Sequence, residues 1–585
     1  MHWARRVLLV VAVPLLLSSP AIATTYYVPD DYGTIQAALD AATGGDTVIV
    51  RDGTYTGTGN KNLDFKGKAL TLKSENGPDN CIIDCKGDGR GFYFHSGEVS
   101  TSIIDGFTIT NGNVCEPSPT ERGIGGAIFC NDSSPIIRNC VLTANLADDG
   151  GGICFDSIHH NFSPTVSNCV ISGNSASDIW DYHRGGGIAN FSSKAITVND
   201  CVINDNVALL GGGIYGKVIV SHSTISGNWV AGSGGGIYSI YGSTLSPVEI
   251  IDCIISQNQA TGEAGGGIFA MGTTFIDRCF ILGNSAVNSG GGIHCVLSSE
   301  ISIRNCNISG NSATDGGGIC CSDSPCPVTN CTISDNSANY GGGICSIGFA
   351  GSLTNCILWG NLAAYGPQVA LKGDSWPYPL IVSYSDVEGG ESEIHLDPSS
   401  VLWWEEGNIN ADPIFIGESD YHLASASPCV DAGTDAGIYE DIDGDIRPQG
   451  AGFDIGADEF VQIVYLSQIN LESPINGSTL SGPPTFTWTV DAGQDNAYAV
   501  DFSLPPFFPF WSTYENMHEI ILTTSWTAPS WMWERIPSGR QVYWRVRGVD
   551  RDYDPLTIVT SDEVWSFCQR SLKTRHLGSN QTPPF

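Results

Sequence analysis

The sequence predicts an all-β solenoid, a parallel β-helix, on three observations. Between Cys140 and Asn361 one phrase recurs nine times: a small residue opens a short apolar run, an Asn follows five residues later, and Gly-Gly-Gly-Ile usually comes next. The pairs are Cys140/Asn145, Cys169/Asn174, Cys201/Asn206, Ser223/Asn228, Cys253/Asn258, Cys279/Asn284, Cys306/Asn311, Cys331/Asn336 and Cys356/Asn361. The offset inside the phrase never varies, whereas successive Asn lie 29, 32, 22, 30, 26, 27, 25 and 25 residues apart. A fixed phrase with elastic spacers is what one turn of solenoid per repeat produces, with insertions expelled as loops. The runs themselves, such as Cys-Val-Ile-Ser at 169–172, are β-branched and bounded by Gly or Asn, which suits strands and opposes helices. The leucine framework of a leucine-rich repeat is missing, and so is the longer four-strand period of a propeller blade.

Taken in order, residues 1–23 read as a secretory signal peptide, with Arg5 and Arg6, an apolar stretch from Val7 to Leu17, and Ala21-Ile22-Ala23 before Thr24. The expected mature chain is exported, secreted or held at the cell surface. Residues 24–460 form the β-helix. Its N-terminal cap, 24–58, has Ile35, Ala38, Leu39 and Ala42 at helical spacing, a short amphipathic helix suited to covering the open core and strand edges of a solenoid end. Each ladder Asn is expected at a sharp turn with left-handed φ, its amide bonded to the same amide one coil away. The eight ladder Cys are expected to form a column of small buried thiols, because side chains stacked in register point the same way. Cys320 and Cys345, each just after Gly-Gly-Gly-Ile, are the pair that could face outward and cross-link in an oxidising compartment. Cys320, Cys321 and Cys326 cluster without a second Cys/His pair at zinc-ligand spacing. A closing segment spans 408–460. Alternating runs at 485–489, 497–502, 541–547 and 564–567 then predict a small β-sandwich over 461–570, its aromatics filling the core, before a polar tail at 571–585.

Several stretches resemble known families. Tyr-Gly-Thr-Ile-Gln-Ala-Ala-Leu-Asp-Ala-Ala (32–42), with Gly45-Asp46-Thr47-Val48 and Gly53-Thr54-Tyr55, resembles the N-terminal cap of secreted right-handed β-helix proteins of the pectate-lyase-like group. Gly-Asn-Ser-Ala (283–286) with Gly-Gly-Gly-Ile (290–293) is similar to repeats of bacterial polymorphic outer-membrane proteins. Asp412-Pro413, Asp420-Tyr-His-Leu423, 427–433 (Ser-Pro-Cys-Val-Asp-Ala-Gly) and 441–460 resemble the closing segment of bacterial surface proteins of the choice-of-anchor types. The Tyr-Trp-Arg-Val-Arg run (543–547) resembles a strand of fibronectin type III modules. The membrane barrel that ends polymorphic membrane proteins is not matched by the residues after Phe460, which lack its regular alternation and aromatic girdles. The resemblance implies a right-handed solenoid in an exported, surface-associated or released protein. It is specific for fold and says little about activity.

Charge narrows the partners. With 26 basic against 62 acidic residues the formal charge is −36, which disfavours nucleic acid and anionic membranes, and disfavours polyanionic sugars unless a divalent cation bridges them. After signal cleavage no apolar run is long enough to span a bilayer. The elastic loops flank the Gly-Gly-Gly-Ile strand and should wall its outer surface into a groove. On the groove floor Phe129, Tyr215, Tyr238 and Phe269, with Trp180 from a wall, are candidates for stacking sugar rings, although an aromatic ladder that merely stabilises the coil is the favoured reading of the floor. The floor lacks the carboxylate pair of a glycosidase. The walls offer Asp156, His159, Asp178, Asp181, His183 and Arg184 as a catalytic cluster, in which Arg184 or a His would abstract a proton α to a uronate carboxylate. The Asp441-Ile-Asp443-Gly-Asp445 run resembles part of a calcium loop without the full twelve-residue ligand pattern; it reads first as a turn, with calcium a candidate ligand of Asp441, Asp443 and Asp445. The leading expectation is therefore a non-catalytic binding, adhesion or structural module toward a polysaccharide or cell-surface glycan. The alternative is a polysaccharide lyase or glycoside hydrolase.

Overall fold

The computed structural model describes residues 23–115, 123–158, 163–177, 183–242, 247–297, 300–348, 351–373, 379–417, 420–461, 466–492, 496–503, 511–536, 538–551 and 558–570. The chain divides into two compact units, Met1–Phe460 and Val461–Phe585.

The first unit is a solenoid of three long parallel sheets. A single coil runs through Ile136–Arg138 in sheet A, turns into Val141–Thr143 in sheet B, turns again, and returns through Ile153–Asp156 in sheet C. Among the described residues sheets A, B and C hold 15, 13 and 12 strands, stacked in chain order. Register is kept from coil to coil, as in Leu142↔Ile171↔Ile203↔Ile225. These four side chains are fully buried, and each contributes about 2 kcal/mol of apolar burial to the core.

Both sharp corners use left-handed backbone, at the Asn corner one residue earlier than the sequence reading placed it. Ala144, Gly173, Asp205, Gly227, Gln257, Gly283, Gly310, Asp335 and Gly360, each just before a ladder Asn, have φ between 55° and 66°. The residues just before the ladder Cys or Ser, from Asn139 to Asn355, have φ between 47° and 55°. The left-handed residue swings the chain round so that the next side chain falls inside the corner. The Asn amides are therefore buried and stack: Asn174 Nδ2 donates to Asn206 Oδ1 at 3.1 Å, and the Asn174 backbone N–H reaches the same oxygen at 3.0 Å. The pattern repeats from Asn145 to Asn361, where Asn361 Nδ2 passes the chain of bonds to Gln368 Oε1 at 2.7 Å.

The Gly-Gly-Gly phrase follows from this corner. Its first glycine is left-handed (Gly265, φ +69°), and a Cβ on the third would stand 2.7 Å from the next coil's Gly292 O and 3.1 Å from the Asn284 amide. Ladder and glycines are thus two sides of one close contact. The ladder Cys take the other corner. Each thiol donates to the carbonyl two residues back, as Cys253 Sγ does to Ile251 O at 3.1 Å, and Ser223 Oγ does the same to Ser221 O at 2.7 Å. No disulfide joins any of the 20 cysteines.

At the N-terminal end a helix, Ile35–Ala41, lays Ile35, Ala38 and Leu39 into the core, with Thr34 Oγ1 accepting the Ala37 N–H as N-cap. At the far end the closing segment straps the outer face of sheet B. Leu423, Cys429 and Ile455 pack on Ile357, Asn355 exchanges hydrogen bonds with Thr434, and Gly456 N–H donates to Asn355 O at 2.9 Å. Inside the strap, Arg447 and Glu459 pair at 3.3 Å with both side chains fully buried.

The second unit packs a three-stranded sheet (Ile469–Ser473, Thr485–Val490, Ser525–Thr527) and a larger one built on the Asn496–Ser503 and Gln541–Asp550 pair around Phe486, Trp488, Trp544 and Phe567. These rings are at most 1% exposed, so the period-two aromatics fill a core. Among the described residues no helix is long and apolar enough to cross a membrane.

Candidate functional site

Strand alternation sends the residue after each Gly-Gly-Gly-Ile outward on sheet C. In register this column reads Tyr93, Phe129, Cys154, Ala189, Tyr215, Tyr238, Phe269, His294, Cys320, Cys345, Ala370 and His395. The rings stack along the solenoid axis: Tyr93 on Phe129 at 5.2 Å, Tyr215 on Tyr238 at 5.4 Å, and Tyr238 on Phe269 at 4.6 Å with planes 7° apart. Ring faces inside each stack are occupied by neighbouring rings. The walls also roof the column: Phe129 is 6%, Tyr215 7% and Phe269 9% exposed, with Tyr238 half-buried. Ile124 and Phe191 lean on Phe129, Cys154 and Ala189, and Tyr340 and Ile347 lean on Cys320 and Cys345. Cys320 and Cys345 do point away from the core, yet both are fully buried and unlinked, because the walls cover the column.

Among the described residues three cations lie on this face, each against aromatic rings. Arg184 sits 4.2 Å from the Phe191 centroid and 5.4 Å from Tyr215, and its Nε and Nη2 donate to the two carboxylate oxygens of Asp149 at 3.1 and 3.2 Å. Asp149 is buried, so Arg184 is the counter-ion of a buried charge. Lys372 stands 4.1 Å over Tyr340 and bonds Asp315 at 2.9 Å, beside the Tyr340–Tyr365 stack, whose outer ring is half exposed. Arg90 differs. It lies over Tyr93 (5.2 Å) and Phe129 (5.3 Å), half-buried, and burial holds its guanidinium below the ordinary arginine range. No carboxylate pairs with it among the described residues; the nearby Asp88 is taken by Lys61 at 2.5 Å. Arg90 opens on a cavity of about 550 Å³ lined also by Asn62, Asp88, Tyr93 and Asn113.

The expected catalytic cluster is only partly in view, since His159, Asp178, Asp181 and Trp180 lie outside the described residues. Asp156 ends its sheet C strand half-buried, and burial together with Asp132 raises its pKa. The His183 carbonyl accepts the N–H groups of Leu209 and Leu210, each at 3.0 Å.

The expected calcium run is organised as a turn. Asp441 Oδ1 accepts the N–H groups of Asp443 and Asp445 at 2.9 and 2.8 Å, and its Oδ2 accepts that of Glu459 at 3.0 Å. Asp445 is exposed, and Asp443 turns instead to His422 Nε2 at 2.8 Å. His422, Asp443 and Asp458 each bring a ligand atom within 4.8 Å of the others, and Asp420 bonds the opposite nitrogen, Nδ1. The carboxylates of Asp443 and Asp420 raise the His422 pKa to about 10, while burial raises that of Asp458 to about 6. A second trio, Cys295, Cys321 and Cys326, converges inside the core. Cys295 replaces Cys320 in the cluster expected from sequence, because adjacent strand residues face opposite ways. His422 and Asp458 escaped the sequence reading of chemistry, although the Asp420-Tyr-His-Leu423 motif marked one side of the site.

Residues 215–374 match the family model described as right handed beta helix region. The solenoid is right-handed. No curated protein matches the chain. Among solved structures it is similar to the A-module of a mannuronan C-5 epimerase from Azotobacter vinelandii, at 13% identity and TM-score 0.36 over 65% of this chain and 95% of that one. It is also similar to a pectate lyase, at 12% identity and TM-score 0.30 over 75% and 96%, and to a PL6 family alginate lyase, at 12% identity and TM-score 0.19 over 66% and 80%.

Proposed function

We propose that this protein is an exported, non-catalytic carbohydrate-binding β-helix protein that holds a uronate-bearing glycan at the Arg90 pocket. One observation carries the reading: a half-buried guanidinium, fixed on two aromatic rings, faces a cavity without a partner carboxylate among the described residues. A guanidinium presents five donors in a planar fork that matches a carboxylate. Arg184 and Lys372, the other cations described on this face, are neutralised by Asp149 and Asp315, so that among the described residues Arg90 is the contact for an external anion. The rigid coils supply the scaffold, and export is supported by the charged, apolar and small-residue order of residues 1–23.

The test is retention of a uronate polysaccharide and of a neutral one by the purified chain, with and without calcium, while unsaturated and reducing ends are followed. The expected result is retention of the uronate polymer, loss of retention in Arg90→Ala, and no new ends. Retention unchanged in Arg90→Ala would remove the pocket from the account. Release of ends would make the protein a lyase or hydrolase and return attention to the loops around Asp156 and His183.

A further inference from the structure

We propose that His422, Asp443 and Asp458 form a divalent transition-metal site, zinc by donor chemistry, with a coordination position open to the cavity beneath the closing segment. This site lies on sheet B and is independent of the Arg90 pocket on sheet C. Four features of the geometry support it. The three ligand atoms lie within 4.8 Å of one another, and His422 Nε2 is already 2.8 Å from Asp443 Oδ2. A tetrahedral zinc with bonds of about 2.1 Å draws its ligands to about 3.4 Å, which is a side-chain adjustment from this arrangement. Asp420 bonds His422 Nδ1, which fixes the ring with Nε2 turned to the carboxylates, the carboxylate–histidine–metal order of metal sites. Asp458 is held by the Leu423 N–H on Oδ2 at 2.7 Å.

The fourth feature points to a ligand. The site borders a cavity of about 430 Å³, whose opposite wall is the outer face of sheet B, including Asn307, Ser309 and Thr332. Asn307 is 7% exposed, and its Oδ1 has no hydrogen-bond donor. A buried acceptor without a partner is costly, and a metal-bound water or a hydroxyl-bearing ligand donating to it from the cavity would relieve it. Imidazole with two carboxylates selects zinc over calcium or magnesium, which favour all-oxygen shells.

The experiment uses the full chain stripped with a chelator and titrated calorimetrically with zinc, and in parallel with cobalt to read the visible bands of a tetrahedral ion. One ion per chain is expected, binding about 100-fold weaker or lost in His422→Gln and about 10- to 100-fold weaker in Asp420→Asn, which alters only the orienting partner. Asp445→Asn, an exposed neighbour, is expected to bind as the wild type does. Circular dichroism of each variant in chelator separates loss of the ion from loss of the fold, and Asp420→Asn keeps the test open should His422→Gln fail to fold. No binding of zinc or cobalt by the wild-type chain, undiminished binding by a folded His422→Gln, or calcium binding that zinc does not displace would each overturn the proposal.

Discussion

Asn206 Nδ2 donates to Asn228 Oδ1 at 3.0 Å while the Asn206 backbone N–H reaches the same oxygen at 3.0 Å. Asn228 in turn donates through Nδ2 to Ile203 O and Asn258 Oδ1, both at 2.9 Å. Every amide is thus both the acceptor of one coil and the donor to others, inside a fully buried corner. Asn228→Ala strands two donors of Asn206 and the carbonyl of Ile203, and each buried unmade bond costs about 1 kcal/mol or more. The expected loss is about 3 kcal/mol, read by urea denaturation. A loss under about 0.5 kcal/mol would show that the ladder is dispensable.

Arg184→Ala is expected to act on stability. It removes both side-chain bonds to the buried Asp149 and the packing on Phe191, at a cost of about 2–3 kcal/mol. Glycan retention measured on the folded variant should equal that of the wild type, whereas Arg90→Ala should lose retention with a smaller change in stability.

Salt should strengthen glycan binding. The charge of −36 repels a polyuronate at long range, and raising ionic strength from about 10 to 150 mM shortens the screening length from about 30 to 8 Å. The contact inside the Arg90 pocket is short and partly buried, so it is screened less. Retention of the uronate polymer that falls monotonically with salt would instead indicate attraction by surface charge.

Asp386 gives the solenoid a pH dependence. It is fully buried at the end of sheet B, accepts the Ala411 N–H at 3.1 Å, and burial raises its pKa to about 6. The folded state therefore holds a proton that the unfolded chain releases near 3.8. This contribution is fully present below that value and is lost as pH rises through about 6. Stability is expected to fall by about 2 kcal/mol between pH 4 and pH 7 from this group. Asp386→Asn should flatten the dependence and raise stability at pH 7, as measured by denaturation at both pH values.

Thiol titration tests the cysteine column. Eighteen of the 20 cysteines are buried, and Cys115 and Cys568 are partly exposed. A thiol reagent should react with about two groups in the native chain and with all 20 in denaturant. Burial is what keeps such a thiol-rich chain reduced if it is exported. A denatured count of 18 would indicate one disulfide, with the Cys295, Cys321 and Cys326 trio the first place to look.

The repeat phrase carried the coil, because a solenoid is built from nearest-neighbour contacts and its period is written along the chain. From Cys140 to Asn361 the spacing together with the residue types it places predicted strands, stacked amides, buried thiols and the need for a cap. It misplaced the left-handed residue by one, since Asn tolerates that conformation and so do Asp205, Gln257 and Ala144, which take it. It also grouped Cys320 with Cys321, although alternation sends one to the wall and the other to the core.

The candidate sites were less legible for a different reason. Arg90 is distinguished by lacking a carboxylate partner among the described residues, and Arg184 by the buried Asp149 that holds it; neither fact is written near either residue. His422, Asp443 and Asp458 meet each other, and face Asn307, only because the strap crosses sheet B. By itself the sequence determined the repeating backbone, because local turn chemistry and side-chain period act between neighbours. Tertiary structure alone decided which charges are paired, which rings are roofed and which ligands converge, because those depend on loops and a closing segment folding across coils far apart in the chain.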